Sequence, residues 1–208
     1  MFDFIEDLDA YFCEKYANYD KLCVLPGYRM PKMQTSEVRE DGRTYAYTLP
    51  ANTMRLALQE NKTELLKTLK EQMLDKTFSF SFIPYGFFRK ISNLFSKYTF
   101  YKHFRLVLEK YKISDVDALN ALSITPEIWT GICKGKYSPT KNLIFSLALT
   151  AHFSFEDTKH LLAFINCEFD YAVVKDVVIA YLLHNKVYNR EMIDAALQEY
   201  KVSNLFLK

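Results

Sequence analysis

The residues that could carry acid–base or metal chemistry are few and widely spaced. His152 and His160 lie on neighbouring predicted helices, with Glu156 between them and Cys167 shortly after. An imidazole near a carboxylate or a thiol can act as a general base or a metal ligand. Sequence spacing alone provides neither a nucleophile contact nor a ligand shell, and a structural or surface histidine is the commoner case. The sequence therefore predicts no catalytic residue and no metal site.

The short motifs that mark common enzyme classes are absent from this sequence. It contains no GxSxG turn, no HExxH helix, no Walker-type phosphate loop and no GxGxxG loop. Its four cysteines show no CxxC pair and no zinc-like spacing with the four histidines. We therefore expect reduced thiols, no cofactor and a protein that is not an enzyme.

Composition favours a helical protein without a strong overall charge. Half of the 208 residues are apolar and 16% are aromatic, which excludes a wholly disordered chain. The low content of glycine and proline, 5 and 6 residues, argues for helices over a turn-rich β protein. The net charge of +2 is far from the strongly basic balance of proteins held mainly by phosphates. Any basic face must therefore be local.

Targeting and membrane signals are also absent from the sequence. The first twenty residues contain six acids and one lysine, the opposite of the basic start of a signal peptide. No run approaches the 18 apolar residues or so that a membrane-spanning helix needs. We expect a cytoplasmic protein that does not engage a membrane.

The first half of the chain is predicted to form three segments. Apolar residues recur at spacings of three and four over residues 1–18, which predicts an acidic amphipathic helix. Residues 19–50 lose this period and are broken by proline and glycine, so we predict an irregular linker that orders only against a partner. Residues 51–99 are predicted as an aromatic-rich helical region with eight basic and four acidic residues.

A candidate secondary basic face lies at the end of this aromatic-rich region. It consists of Arg89, Lys90 and Lys97, which alternate with aromatic residues. Such a pattern can bind single-stranded nucleic acid by stacking and charge. The helical period of the apolar positions favours instead a helix that buries its rings, and a helix lying on a membrane surface is a third, weaker alternative.

Residues 100–208 are predicted as a compact domain of short helices. Ser114 with Asp117 and Ser154 with Asp157 have the reciprocal capping spacing of helix starts. The predicted helices are 100–111, 114–122, 125–134, 139–152, 155–164, 171–184 and 190–202.

The middle of this domain has the signals of two helices joined by a tight turn. Thr125 followed by Pro126 is a helix start, and Ser138 followed by Pro139 repeats it. Gly135 lies where the intervening helix should end in a left-handed cap. A short helix, a bend and a second helix packed across it is the helix-turn-helix plan.

The segment ITPEIWTGICKGKYSP, residues 124–139, resembles the Cro-like helix-turn-helix class of phage repressors and bacterial regulators. The LAL at residues 147–149 continues the resemblance. The positions that match the class are Ile124, Thr125, Ile132, Gly135 and Pro139. The resemblance implies an all-α helical bundle with a Cro-like helix-turn-helix C-terminal domain, in a bacterial or phage protein.

A longer run, residues 104–200, resembles the accessory helical module at the C-terminus of some bacterial macrodomain proteins. The matching features are YSPTK at 137–141, Leu161 and Leu162, Phe169 and Asp170, and Tyr188 and Asn189. The macrodomain signature itself is absent, so ADP-ribose binding and deacetylation are not implied. An accessory to a nucleotide- or ADP-ribose-linked enzyme is the third and most distant functional reading.

Three positions depart from the helix-turn-helix pattern. Ser123 stands where glycine is usual, which makes a left-handed turn less comfortable. Leu119 replaces a small residue, and Trp129 replaces a smaller aliphatic one at an inward position. Both larger side chains are expected to widen the angle between the two helices.

The outward face of the second helix is the candidate partner or DNA face. Base reading relies mainly on Arg, Lys, Asn and Gln near the start of a recognition helix. The available positions here make a poor set, because Glu127 repels phosphate and the lysines can only contact the backbone. The residues of this candidate face are Thr125, Glu127, Thr130, Lys134, Lys136 and Lys141.

We therefore favour a non-enzymatic regulatory or protein-interaction protein with a protein partner. The alternative is a DNA-binding transcriptional regulator that acts as a dimer. A homodimer is also suggested by an apolar stripe near the C-terminus, with burial inside the same chain as the competing explanation. The stripe consists of Val174, Val177, Val178, Tyr181 and Leu182.

Overall fold

The structure, a computed structural model, divides the chain into two compact units. Unit 1 is Met1–Leu74 and unit 2 is Asp75–Lys208. The division falls inside residues 51–99, which were predicted from the sequence to form one segment. The residues that the structure describes are 2–25, 28–30, 32–73, 82–86, 99–203 and 205–208.

Unit 1 combines four helices with a β-hairpin over its described residues. Helix α4 packs against the other three helices. Leu8, Phe12 and Leu65 are almost fully buried between them, and Asp9 pairs with Lys70 at 2.7 Å. In chain order the elements are α1 (Phe2–Lys15), α2 (Tyr19–Cys23), β1 (Gln34–Val38), β2 (Thr44–Thr48), α3 (Ala51–Glu60) and α4 (Lys62–Gln72).

The prediction of an irregular linker over residues 19–50 is wrong for a large part of that segment. It contains helix α2 and an antiparallel hairpin in which Gln34 pairs with Thr48 and Val38 with Thr44. Gly42 provides the positive φ of +74° that the turn requires. Both faces of the hairpin are largely exposed. A strand exposed on both faces needs no alternation of apolar and polar residues, so the usual sequence signal was missing.

Unit 2 is helical apart from one minimal pair of strands in its described part. Its elements are α5 (Phe100–Lys110), α6 (Asp115–Ala121), α7 (Pro126–Cys133), α8 (Lys141–Thr150), α9 (Phe155–Phe164), α10 (Val174–His184) and α11 (Arg190–Glu199), with β3 (Ile83–Pro84) paired to β4 (Tyr137–Ser138). The all-α prediction is confirmed in its coarser form, a mainly helical protein. No helix in the described ranges is long and apolar enough to cross a membrane.

Helices α8 and α10 form the centre of unit 2. Residues 143–149 of α8 and 176–183 of α10 are buried without interruption. The apolar stripe that suggested a homodimer lies on α10, where Val177, Val178 and Leu182 are 0% exposed. The competing explanation, burial inside the same chain, is therefore the observed one, and the stripe gives no support to a dimer.

Side-chain caps begin most helices of unit 2. Ser114 and Asp117 form the predicted capping box, in which the hydroxyl of Ser114 accepts from the Asp117 amide at 3.1 Å. The start predicted at Ser138 is displaced, because Thr140 caps α8 by accepting from the Leu143 amide. Ser138 pairs with Ile83 in the small sheet instead.

Candidate interaction face

Helices α6 and α7 follow one another in the chain and are joined by residues 122–125. The Thr125 hydroxyl accepts from the Ile128 amide at 3.4 Å, and Pro126 occupies the first helical position, where a missing N–H costs nothing. Gly135 ends the helix with a φ of +69°, as the sequence predicts. These local signals set both ends of the helix that carries the candidate face.

The inner side of α7 is anchored by an indole. Trp129 is 1% exposed, packs edge-on against the Phe104 ring and donates from Nε1 to the Asp115 carboxylate at 2.7 Å. This hydrogen bond joins the first residue of α6 to the middle of α7. Trp129 is inward as the sequence predicts, and its polar atom has a charged acceptor.

The turn between α6 and α7 differs from the expected left-handed turn. Ser123 is not among the described residues with positive φ. Its amide donates to the Phe206 carbonyl at 2.8 Å and its hydroxyl donates to the Leu207 carbonyl at 3.2 Å, beside a β-bridge between Leu122 and Leu207. The expectation of an uncomfortable left-handed serine is therefore wrong, because a bend without positive φ, bonded to the C-terminal segment, replaces that turn.

The outer side of α7 borders an open depression of about 390 Å³. The Tyr137 ring packs directly on Gly131, so that a Cβ on Gly131 would overlap it. Strand pairing holds this tyrosine, because β3 runs antiparallel to β4 and the Tyr85 amide donates to the Lys136 carbonyl at 3.0 Å. The residues lining the depression are Pro126, Glu127, Thr130, Gly131, Lys136 and Tyr137.

Acidic groups at the starts of α6 and α7 are held in the ionised form. The backbone amide of Glu127 and the hydroxyl of Thr125 lower the pKa of the Glu127 carboxyl. The hydroxyl and amide of Ser114 do the same for the pKa of Asp117. Both carboxyl groups favour the positive end of a helix and remain charged at neutral pH.

Four of the six predicted face residues lie together. Thr125, Glu127, Thr130 and Lys136 are all exposed, and the last three line the same depression. We call these four residues, with the Tyr137 ring beside them, the α7 face. Tyr137 was not predicted, since a tyrosine after a helix-ending glycine carries no sequence signal of its own.

Lys134 and Lys141 are separated from that group. Lys134 is exposed at the end of α7 and borders a different depression, of about 290 Å³, with Arg105 and Asp115. Arg89, Lys90 and Lys97, the candidate secondary basic face, lie outside the described residues.

Lys141 has a structural role that was not predicted from the sequence. Its ammonium group pairs with the Asp176 carboxylate and donates to the Glu168 carbonyl at 2.6 Å. The Asp176 side chain is only 4% exposed, and burial raises the pKa of its carboxyl despite the hydrogen bond from the Asp170 amide and the lysine. The charge of Lys141 is thus neutralised by a buried carboxylate, and its assignment to the partner or DNA face is corrected.

His152 and His160, which the sequence analysis named as candidates, are both exposed, while Cys133 and Cys167 are half-buried. The His152 ring stacks on Tyr188 with centroids 4.6 Å apart, and the His160 ring lies 6.4 Å from that of His103. Burial, with a smaller contribution from Asp115, raises the pKa of the Cys133 thiol to about 12. That thiol is therefore protonated at neutral pH, and among the described residues no group of three metal-ligating side chains comes together.

The fold and this face define a mainly helical protein that presents one short, doubly capped helix to solvent. Searches against family models, characterised proteins and solved structures found no match to the chain. The functional argument therefore rests on the geometry of the α7 face.

Proposed function

We propose that this protein is a non-enzymatic regulatory or protein-interaction protein that docks a protein partner through the α7 face. The observation that carries the proposal is the composition of that face. Glu127 and Lys136 border one depression together with Thr130 and Tyr137. Charges of both signs around an aromatic group suit a protein surface that presents the opposite charges.

The same face is poorly suited to reading DNA. In helix-turn-helix docking, the second helix enters the major groove by its first residues while the first helix crosses the backbone. Here those positions carry ionised Asp117 and Glu127, which phosphates repel. Lys141, the cation nearest the start of the next helix, is neutralised by Asp176. No arginine, asparagine or glutamine lies among the four residues of the α7 face.

We further propose that α6, its turn and α7 are a divergent member of the Cro-like helix-turn-helix class. The Thr125 cap and the left-handed Gly135 support this assignment. The divergence lies at Ser123, where the C-terminal segment replaces a glycine turn. A cytoplasmic location is part of the same proposal, supported by cysteines without disulfide partners.

A DNA-binding regulator acting as a dimer is the second candidate. The helix-turn-helix order and the exposed Lys134 and Lys136 favour it, because two lysines at the end of α7 can contact phosphates. Such contacts position a protein without specifying a sequence. A dimer would double them.

Fluorescence anisotropy with random genomic fragments separates the two candidates. Our proposal predicts at most weak binding that vanishes as salt is raised and that enriches no sequence. Selection of one palindromic sequence, with binding lost in Lys134→Ala and Lys136→Ala, would establish the second candidate instead.

A pair of charge reversals tests the docking face itself. The intact protein is used as bait in nuclease-treated lysate, next to Glu127→Lys and Glu109→Lys. Glu109 is an exposed acid of α5 on the other depression and serves as the matched control. We expect a partner that is retained by wild type and Glu109→Lys and lost by Glu127→Lys. Equal retention by all three baits would reject the α7 face as the docking surface.

A further inference from the structure

The hairpin of unit 1 presents one strand edge without the usual protection. Natural edge strands carry charges, proline or bulges that prevent pairing with another chain. Strand β2, with the sequence TYAYT, has none of these, and each of its residues is exposed. Its sheet has only two strands among the described residues, so β1 covers one edge of β2 and nothing described covers the other. Strand β1 differs, since it carries the charged Glu37 within the strand.

The backbone groups on that open edge are available for hydrogen bonds. The Leu49 amide donates to the Met33 carbonyl and the Arg39 amide donates to the Arg43 carbonyl, so odd-numbered residues form the hydrogen-bonded pairs of the hairpin. Alternation in an antiparallel pair then turns the amides and carbonyls of the even-numbered residues outward. On β2 these are Thr44, Ala46 and Thr48.

The sequence of β2 is a palindrome centred on Ala46. When such a strand pairs antiparallel with a second copy of itself about a two-fold axis, every residue meets its own type. Ala46 faces Ala46, Tyr45 faces Tyr47 and Thr44 faces Thr48, with no charge opposite another. The outward amides and carbonyls of Thr44, Ala46 and Thr48 then satisfy those of the copy. The four tyrosines share one face of the joined sheet.

Charge complementarity outside β2 supports the same pairing. Helix α3 begins after Pro50 with no side-chain cap and no acid in its first turn, which leaves its positive end unbalanced. The register about Ala46 brings the hairpin turn of one copy, with the Asp41 carboxylate, beside residues 50–51 of the other. Asp41 is held in place by the Arg43 amide and the Tyr45 hydroxyl, each at 2.9 Å.

We propose that the β2 edge is a self-association surface, through which two copies of this chain join their hairpins into a four-stranded antiparallel sheet. This surface shares no residue with the α7 face, and the inference does not depend on the proposed function. Two five-residue strands bury less than the roughly 1,200 Å² of a stable interface. The dimer is therefore weak and concentration-dependent.

The test is sedimentation equilibrium of the full chain from about 1 µM to about 1 mM. Ala46→Pro removes the amide at the centre of the pairing, while the hairpin keeps its own hydrogen bonds. Ser36→Pro is the matched control, because Ser36 lies opposite Ala46 and turns its amide toward the other edge. We expect wild type and Ser36→Pro to dimerise alike and Ala46→Pro to dimerise at least about tenfold more weakly.

Three outcomes would overturn the proposal: a wild type that stays monomeric, equal weakening in both proline variants, or weakening in Ser36→Pro alone. Cysteine crosslinking provides a second measurement that needs no proline. Across the two-fold axis the Ala46 Cα atoms are about 5.5 Å apart, within the range of a disulfide, whereas the Ser36 positions are three strand spacings apart, about 14 Å. Oxidised Ala46→Cys should therefore form a covalent dimer and Ser36→Cys should not. Equal crosslinking of the two variants would contradict the β2 edge.

Discussion

Helices α7 and α8 follow one another in the chain, begin in the same way and have opposite surroundings. Thr125 caps α7 and Thr140 caps α8, each through a bond from the amide three residues on. Helix α7 exposes Glu127 near its start and keeps an open face. Helix α8 begins with Lys141 and is buried continuously over residues 143–149.

The difference shows that cap chemistry specifies where a helix begins and not what covers it. The charge at the start of α7 stays in water beside its cap, while the charge at the start of α8 neutralises a buried carboxylate on α10. A lysine near a helix start therefore cannot be assigned to a binding face from its position in the sequence. The assignment depends on which side chain the lysine pairs with, and for Lys141 that partner, Asp176, lies 35 residues further along the chain.

Truncation of core and surface side chains should give the largest difference between α7 and α8. Leu147→Ala in α8 removes a side chain that is 1% exposed and should lower the free energy of unfolding by about 3–4 kcal/mol. Thr130→Ala on the α7 face should change it by less than about 0.5 kcal/mol. Denaturant titration measures both. Similar losses in the two variants would contradict the surface position of the α7 face.

The next largest difference in stability is expected between Lys141 at the start of α8 and Lys136 on the α7 face. Lys141→Ala leaves the Asp176 carboxylate buried without its cation and should cost about 3 kcal/mol in unfolding free energy. Lys136→Ala should leave stability almost unchanged. Because burial already raises the pKa of Asp176, the Lys141→Ala deficit should shrink as acid protonates that carboxyl. A Lys141→Ala protein as stable as wild type would support the original assignment of Lys141 to the partner or DNA face.

The start of α9 extends the comparison to Asp157, a half-buried carboxylate. Burial alone would raise the pKa of Asp157, but hydrogen bonds from Lys110, Tyr111 and Ser154 hold it at about 2. A lowered pKa gives stability that is present above the unfolded value near 4 and is lost as the pH falls toward 2. We expect acid to remove up to about 2 kcal/mol of unfolding free energy in this window. Asp157→Asn should lack that component, and identical acid profiles would contradict it.

A methyl group on the α7 face should have a smaller effect whose sign depends on Tyr137. Gly131→Ala normally stabilises a helix, but here its Cβ overlaps the Tyr137 ring and should cost about 1–2 kcal/mol of unfolding free energy. In a Tyr137→Ala background the same change should become stabilising. A double-mutant cycle measures the coupling. No coupling would mean that the ring does not cover the helix.

The smallest predicted effect concerns Ser123, and it tests whether the turn between α6 and α7 is a left-handed glycine turn. Ser123→Gly would relieve a left-handed serine, yet the observed backbone has no positive φ there. We expect instead a loss of about 1 kcal/mol, because the variant loses the hydroxyl bond to Leu207 and gains backbone entropy when unfolded. A stabilised Ser123→Gly protein would favour the left-handed turn. Thermal unfolding monitored by circular dichroism provides the measurement.

Local signals were sufficient for much of unit 2. The capping pairs at Ser114 and Ser154, the left-handed Gly135 and the apolar stripe of α10 are all properties of neighbouring residues, and they predicted helices close to those observed. Helix α8 begins two residues later than predicted, because Ser138 and Thr140 are both good caps. Only the pairing of Ser138 with β3 decides between them.

Long-range partners explain what the sequence did not predict. The hairpin of unit 1 has no apolar face to create a period, so composition alone suggested a linker. For the candidate face, Thr125, Glu127 and Thr130 were predicted from their outward positions on the helix and Lys136 from its charge. Tyr137 was missed and Lys141 was misassigned, because their surroundings come from β3 and α10, distant in sequence.

The bond between Ser123 and the C-terminal segment has a consequence for how the protein is made. The turn connecting α6 and α7 receives its acceptors from residues about 84 positions later in the chain. During synthesis at the ribosome, α6 and α7 can form early, but the amide of Ser123 has no such acceptor until Phe206 has emerged. The closing of a loop of this length is an entropically costly step. The arrangement of the two helices should therefore be completed only after residues 206 and 207 have emerged and bonded to the turn.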